Sequence, residues 1–153
     1  MTKMTKLRQR PKVLFLCTGN SCRSQMSQGW ANHLKSEHIE AYSAGIDPQE
    51  LNPLAVKVMA EAGVDISKHT SKHLDALKDI CFDYVITVCD SANEACPIFS
   101  GNAKKIHVSF DDPPKLAQGA ISEFEALVHY RRVRDEIKTF ITTLPERLSS
   151  KGD

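Results

Sequence analysis

The residues most able to do chemistry stand near the start of the chain, in the run Cys17-Thr-Gly-Asn-Ser-Cys-Arg23-Ser24. A cysteine and an arginine are separated there by five residues, with a serine directly after the arginine. A short loop of this kind that curls into a helix start turns consecutive backbone N–H groups toward one point, and the helix dipole adds to the field, which makes an anion site. The same field stabilises a thiolate at Cys17. Arg23 supplies a planar fork for two oxygens of a tetrahedral oxyanion and a charge suited to a trigonal-bipyramidal transition state, and Ser24 can donate a hydrogen bond to the sulfur. Thr18, Gly19, Asn20, Ser21, Cys22 and Arg23 form the candidate oxyanion-binding loop. The bland alternative is a strand-to-helix turn around a buried cysteine, which leaves the placement of Arg23 and Ser24 without a reason. No Gly-Lys-Ser/Thr follows, which argues against a nucleoside-triphosphate loop.

Two more constellations accompany it. Cys89 and Cys96 stand seven positions apart, and Asp111-Asp112-Pro113-Pro114 sets two carboxyl groups on a stiff segment. With Cys22 and Cys81 the cysteines number five, an odd count in a chain with no export signal, which argues against a structural disulfide framework and for reactive chemistry or plain burial. Cys22 and Cys81 read as structural. Zinc is disfavoured because Cys17/Cys22 and Cys89/Cys96 lack the short spacing of common structural sites and the six histidines form no cluster beside them in the sequence, so no metal or other cofactor is expected.

The elements that must position these residues follow from the pattern of apolar residues. Lys12-Val-Leu-Phe-Leu16 reads as a buried strand that hands over to the cysteine loop. A helix from Ser24 to about Ser36 sets Met26, Trp30 and Leu34 on one face, with Gln25, Asn32 and Lys35 pointing elsewhere. Ala41–Ser43 is a short strand. Asn52 caps a second helix that opens at Pro53 and leaves at Gly63. One or two helical turns are expected near His73–Leu77, and Tyr84–Val88 and Lys105–Val108 are further strands. The last helix has capping-box spacing at Ser122 and Glu125, and Phe124, Leu127, Val128, Ile137, Phe140, Ile141 and Leu144 supply its apolar face. This alternation predicts a three-layer α/β fold, a small, mainly parallel sheet flanked by helices, with ligands at the carboxyl ends of the strands.

Taken together, the stretch from Cys17 to Met26 resembles the active-site loop of the low-molecular-weight tyrosine phosphatases and, more closely, of thioredoxin-coupled arsenate reductases. Tyr42-Ser-Ala-Gly45, Asp65-Ile-Ser67 with His69-Thr-Ser71, Phe110-Asp-Asp-Pro113 and Arg132-Val-Arg-Asp-Glu-Ile137 resemble the reductases in the same order. The resemblance runs from about Lys12 to Leu144. It implies a low-molecular-weight tyrosine-phosphatase-like fold and makes Asp112, directly before a proline, the general acid.

Cys89 and Cys96 divide the two activities, since hydrolysis of a phosphate ester has no use for them. The expected reaction is reduction of arsenate to arsenite. Cys17 forms a covalent arsenate adduct, Cys89 attacks Cys17 as arsenite leaves, and Cys96 moves the disulfide to Cys89–Cys96 for an external dithiol, expected to be thioredoxin. The alternatives are a tyrosine phosphatase working through a phosphocysteine and a passive anion carrier. The bland reading of the pair is a buried strand-end cysteine and an incidental surface one. A rigid helix over 89–96 would hold the two sulfurs about 10 Å apart, beyond disulfide reach, so this segment is expected to unwind in turnover. Where some reductases bind potassium through two carboxylates, this chain has Gln28 and Lys72; the Lys72 ammonium is expected in the cation's place, bonding toward Asn20 and Ser43, the bland alternative being a solvated Lys72.

One domain is expected over 12–145, preceded by a flexible basic segment 1–11 and followed by a tail 146–153. The chain has 153 residues, 41% apolar content and a net charge of +1, with no long apolar run. These values exclude any global reason to bind nucleic acid or a membrane and place the chain in the cytoplasm as an expected monomer.

Overall fold

The structure, a computed structural model, describes residues 10–90 and 96–149. Residues 1–9 of the basic segment 1–11, residues 91–95 of the segment 89–96 expected to unwind, and the final residues 150–153 lie outside the described residues. Four strands, β1 (Lys12–Cys17), β2 (Glu40–Gly45), β3 (Tyr84–Thr87) and β4 (Lys104–His107), form one sheet in the order β2-β1-β3-β4. Every pairing among them is parallel. β1 lies inside, flanked on both edges, and its residues from Val13 to Cys17 are all buried, which is why its apolar run is continuous rather than alternating. Register places Cys17 opposite Gly45, and Leu16 opposite Ala44 and Thr87, so β1, β2 and β3 end at one edge of the sheet. The chain leaves β1 for β2 on one side and β3 on the other, and the crevice of such a parallel sheet opens at that reversal.

The helices are α1 (Arg23–Leu34), α2 (Pro53–Glu61), α3 (Pro113–Ala117) and α4 (Glu123–Ile141), with 3-10 turns at Leu74–Leu77 and Glu146–Ser149. Val13 and Phe15 point to the face covered by α1, α2 and α4, where Met26, Trp30, Met59, Leu127 and Ile137 close the larger core. Leu14 and Leu16 point to the opposite face, where Phe82, Val85 and Ala103 are buried with Leu74, Leu77 and Phe99 packed against them. Trp30 ties α1 to α4 by donating its indole N–H to the Arg134 carbonyl, 3.1 Å. Leu148 is buried in the larger core, so packing continues through the turn after α4. No helix among the described residues is long and apolar enough to cross a membrane.

Local signals explain the boundaries. Asn52 Oδ1 accepts from the Leu54 and Ala55 amides, Pro53 opens α2, and Gly63 takes φ +86° beyond its end. Ser122 Oγ accepts from the Glu125 amide at 3.1 Å, but Glu125 returns its bond to the Ile121 amide at 3.4 Å, so the capping box closes one residue early.

Three residues expected on apolar helix faces are exposed instead: Leu34, Phe124 and Val128. Leu34 is exposed at the end of α1, whereas Gln25 is fully buried in a polar network. On α4 the buried stripe runs through Leu127, Tyr130, Val133, Ile137 and Ile141. Val128 stands one residue, about 100°, off that stripe, and Phe124 lies in the first turn ahead of it; both are exposed. The short helix α3, which begins directly after Asp112 without a side-chain capping bond from it, is not evident from the Asp-Asp-Pro-Pro run.

Candidate active site

At the carboxyl end of β1 the chain turns through residues 18–22 into α1, and the carbonyls of this loop are engaged by surrounding segments. Thr18 O accepts from the Ile46 and Asp47 amides at 3.0 and 2.9 Å, and Ser21 O accepts from the Asn52 amide at 2.9 Å. Gly19 O accepts from the Gln49 amide at 2.9 Å and from Ser71 Oγ at 3.1 Å. Asn20 O accepts from Gln25 Nε2 at 3.1 Å. With the carbonyls tied to the surroundings, the N–H groups are what the loop can present inward, and the Asn20 amide donates to Cys17 Sγ at 3.2 Å. Asn20 adopts φ 49°, a left-handed conformation that asparagine tolerates better than most residues.

Asn20 also explains the direction of the bond to the nucleophile candidate. Its Oδ1 accepts from the Lys72 amide at 2.9 Å and from Gln25 Nε2 at 3.1 Å, while its Nδ2 donates to Ser24 Oγ at 2.8 Å. Ser24 Oγ therefore accepts from Asn20 and is free to donate its own proton to Cys17 Sγ, 2.9 Å away. The chain of hydrogen bonds thus ends on the Cys17 sulfur. Gln25 Oε1 is paired with His69 Nδ1 at 3.0 Å, and because Gln25 Oε1 can only accept, His69 carries its proton on Nδ1. Burial, with the nearby Lys72 charge, lowers the His69 pKa.

Cys17 and Cys22 are both buried free cysteines. Burial pushes the Cys22 thiol far up, so it stays protonated at neutral pH and does not compete as nucleophile. Arg23 lies almost wholly buried, donating from one terminal nitrogen to the Phe110 carbonyl at 3.0 Å and lying 3.7 Å from Asp112 Oδ1 through the other. The two aspartates divide: Asp111 is held on α4 by Arg132 at 2.9 Å, whereas Asp112 faces a cavity of about 250 Å3 shared with Cys17, Arg23 and the loop. Asp47, Gln49 and Pro114 complete its lining. Sequence reading missed Asp47 and Gln49, which follow Gly45 in a loop with no signal of its own. Gly45 itself is required by space, since a Cβ there would lie 2.6 Å from Thr18 O and 2.9 Å from Asn20 N.

The three support residues lie beside the loop. Ser43 Oγ donates to Gln28 Oε1 at 2.6 Å, and the Lys72 ammonium donates to Ser43 O at 3.2 Å. The contact with Asn20 is made by the Lys72 backbone N–H, not by its ammonium as expected. Partial burial lowers the Lys72 pKa.

Beyond β3, the Val88 amide donates to Leu16 O at 3.1 Å, which carries Cys89 past the end of β3, the strand beside β1 and Cys17. Cys89 is fully buried and forms a disulfide with Cys96, their Cα atoms 5.9 Å apart. Against the sequence reading, a histidine does stand beside this pair: a ring nitrogen of His107 lies within 4.8 Å of both sulfurs.

A parallel sheet with a cysteine-arginine anion loop at its switch point, an aspartate facing the loop and a second thiol pair beside it is thus in place. The chain belongs to the low molecular weight phosphotyrosine protein phosphatase family, whose match spans residues 12–153. It is 46% identical over 134 residues to the arsenate reductase of Halalkalibacterium halodurans, covering 88% of this chain and 94% of that one. A solved arsenate reductase in the phosphate-binding state superposes with TM-score 0.72 at 28% identity, covering 91% of this chain and 99% of that chain. The thioredoxin-dependent arsenate reductase of Corynebacterium glutamicum superposes with TM-score 0.64 at 27% identity, covering 97% of this chain and 68% of that chain.

Proposed function

We propose that this chain reduces arsenate to arsenite by a relay through Cys17, Cys89 and Cys96, with thioredoxin as the external reductant. The observation that carries the reading is a free Cys17 held by hydrogen bonds in an oxyanion loop, with a Cys89–Cys96 disulfide following the adjacent strand. The arsenate reductases among its relatives support the substrate, and the Corynebacterium protein supports thioredoxin.

Arsenate enters the cavity, its oxygens facing the loop amides of residues 18–22 and Arg23. The Cys17 thiolate attacks arsenic, Asp112 protonates the departing oxygen, and water leaves a Cys17–arsenic(V) adduct. Cys89 thiolate then attacks Cys17 Sγ. The sulfur–arsenic bond breaks with its electron pair remaining on arsenic, which departs as arsenite, and a Cys17–Cys89 disulfide is left. Cys96 attacks Cys89 Sγ and frees Cys17 as a thiolate; the resulting Cys89–Cys96 disulfide is reduced by the external dithiol. Gln28, Ser43 and Lys72 support the loop, with the Lys72 ammonium standing in for a structural cation.

The test is arsenate-dependent NADPH oxidation with thioredoxin and thioredoxin reductase, run beside Cys89→Ala. Activity that disappears in the variant is expected. Equal activity in both proteins, or none in either together with steady aryl-phosphate hydrolysis, would overturn the relay. The phosphatase reading stays second: loop and aspartate suit a phosphocysteine, but among the described residues no aromatic side chain lines the cavity to hold a phenyl ring.

A further inference from the structure

Outside the oxyanion cavity, one cluster combines side chains with a chemistry of their own. Cys89 and Cys96 are joined as a disulfide, and an imidazole nitrogen of His107 lies within 4.8 Å of both sulfurs. They come from separate parts of the fold: Cys89 follows β3, and His107 ends β4, paired in register with Thr87. The set is graded in exposure, with Cys89 buried, Cys96 intermediate and His107 exposed, so the cluster has an open side. A groove of about 210 Å3, lined by Thr87, Pro97 and His107 among others, adjoins it. His107 Nδ1 is 2.7 Å from Thr87 Oγ1, a bond that leaves Nε2 as the ring nitrogen available to a metal.

We propose that in the reduced protein Cys89, Cys96 and His107 form a three-ligand site for a thiophilic divalent cation of the zinc class. Two thiolates and one imidazole are a donor set that such ions prefer, with a fourth position left for water. Ligand bonds of about 2.0–2.3 Å to a tetrahedral ion set donor atoms about 3.5–3.8 Å apart, so the two sulfurs, bonded to each other in the disulfide, must separate on reduction while the ion holds the segment near the arrangement that brings them to His107. Binding replaces two thiol protons by one dication and changes no oxidation state. The oxidised chain has lost both thiolates and cannot bind in this way, so the site exists in one redox state only. Occupied, it holds the two sulfurs that the relay needs and locks the reduced enzyme until the ion is removed. The site requires only the reduced dithiol, so it stands or falls separately from the arsenate chemistry.

The experiment uses the full chain, reduced and desalted without oxygen, titrated with Zn2+ against a chromophoric chelator and with Co2+ read by thiolate-to-cobalt charge-transfer absorption. The reduced wild type and Cys17→Ser should each bind one ion per chain, and the oxidised protein none. His107→Ala and Cys96→Ser should each weaken binding by more than about 100-fold, and Thr87→Val, which removes only the outer contact, by about tenfold. Zn2+ binding that is equally tight in wild type and His107→Ala, that persists in the oxidised chain, or that is lost in Cys17→Ser would overturn the site.

Discussion

The two thiol regions of this protein are built on opposite principles. The Cys17 loop is held by hydrogen bonds from other segments of the chain: the stretch between β2 and α2, the stretch 70–72, and Gln25 of α1. Cys89 and Cys96 are joined instead by a single covalent bond, with one partner buried and the other partly exposed. A nucleophile that must meet an anion at a defined angle gains from a fixed frame. A relay whose sulfurs must change partners gains from a link that chemistry itself can make and break. One site is positioned by fold; the other by oxidation state.

Cys96→Ser gives the largest test of that division. It should leave the first half of the reaction intact, yielding about one arsenite per chain before stopping with a Cys17–Cys89 disulfide, while steady turnover falls by two or more orders of magnitude. Quenched-flow product counts and mass spectrometry of the trapped protein check it; continued turnover would mean that Cys96 is not the resolving thiol.

Gly45→Ala attacks the fixed frame in turn. The added methyl meets two backbone atoms of the loop, Thr18 O and Asn20 N. Urea denaturation should show a loss of about 1–3 kcal/mol, and arsenate reduction should fall at least tenfold while both relay cysteines remain present. A variant with wild-type stability and rate would show that the loop yields more readily than its bonding implies.

His69 reports on the same frame through pH. Its folded pKa is lowered by burial first and by the Lys72 charge second, from an ordinary value of 6.5. The unfolded chain therefore takes up the proton more readily. Stability is undiminished above pH 6.5, declines as pH falls from there toward the lowered folded value, and levels off below it. His69→Gln should remove this component from thermal melts at pH 5–7 without altering the melts of the upper range relative to each other; an unchanged acid slope would place the titration elsewhere.

The smallest effect expected is that of potassium. If the Lys72 ammonium already occupies the cation's place against Ser43 O, exchanging sodium for potassium at constant ionic strength should move the melting temperature by less than about 1 °C, or under about 0.5 kcal/mol. A strong and selective rise in stability or activity would remove Lys72 from that role.

Local sequence was a good guide wherever one continuous stretch carries both the signal and the structure. The order of strands and helices, the cap at Asn52, the exit at Gly63 and the placement of Cys17 after a buried strand are all of this kind. It gave no sign of the role of Gln25, set off the apolar face of α1, whose amide is surrounded only in the fold by Asn20, His69 and Thr70. Phe124 and Val128 fail in the complementary way, because apolar character gives no information about where a neighbouring element ends.

Sequence by itself therefore determined the parallel α/β class, the anion loop and the inventory of thiols, because apolar periodicity and the residues of one tight turn act over short distances along the chain. Only the tertiary structure decided which polar groups lock the loop, that Asp111 pairs with Arg132 of α4, and that His107, eleven residues beyond Cys96, stands beside the disulfide. Those outcomes depend on strand order and register, which place β4 beside β3 and the stretch 70–72 against residues 19–20, and no spacing in the sequence encodes them.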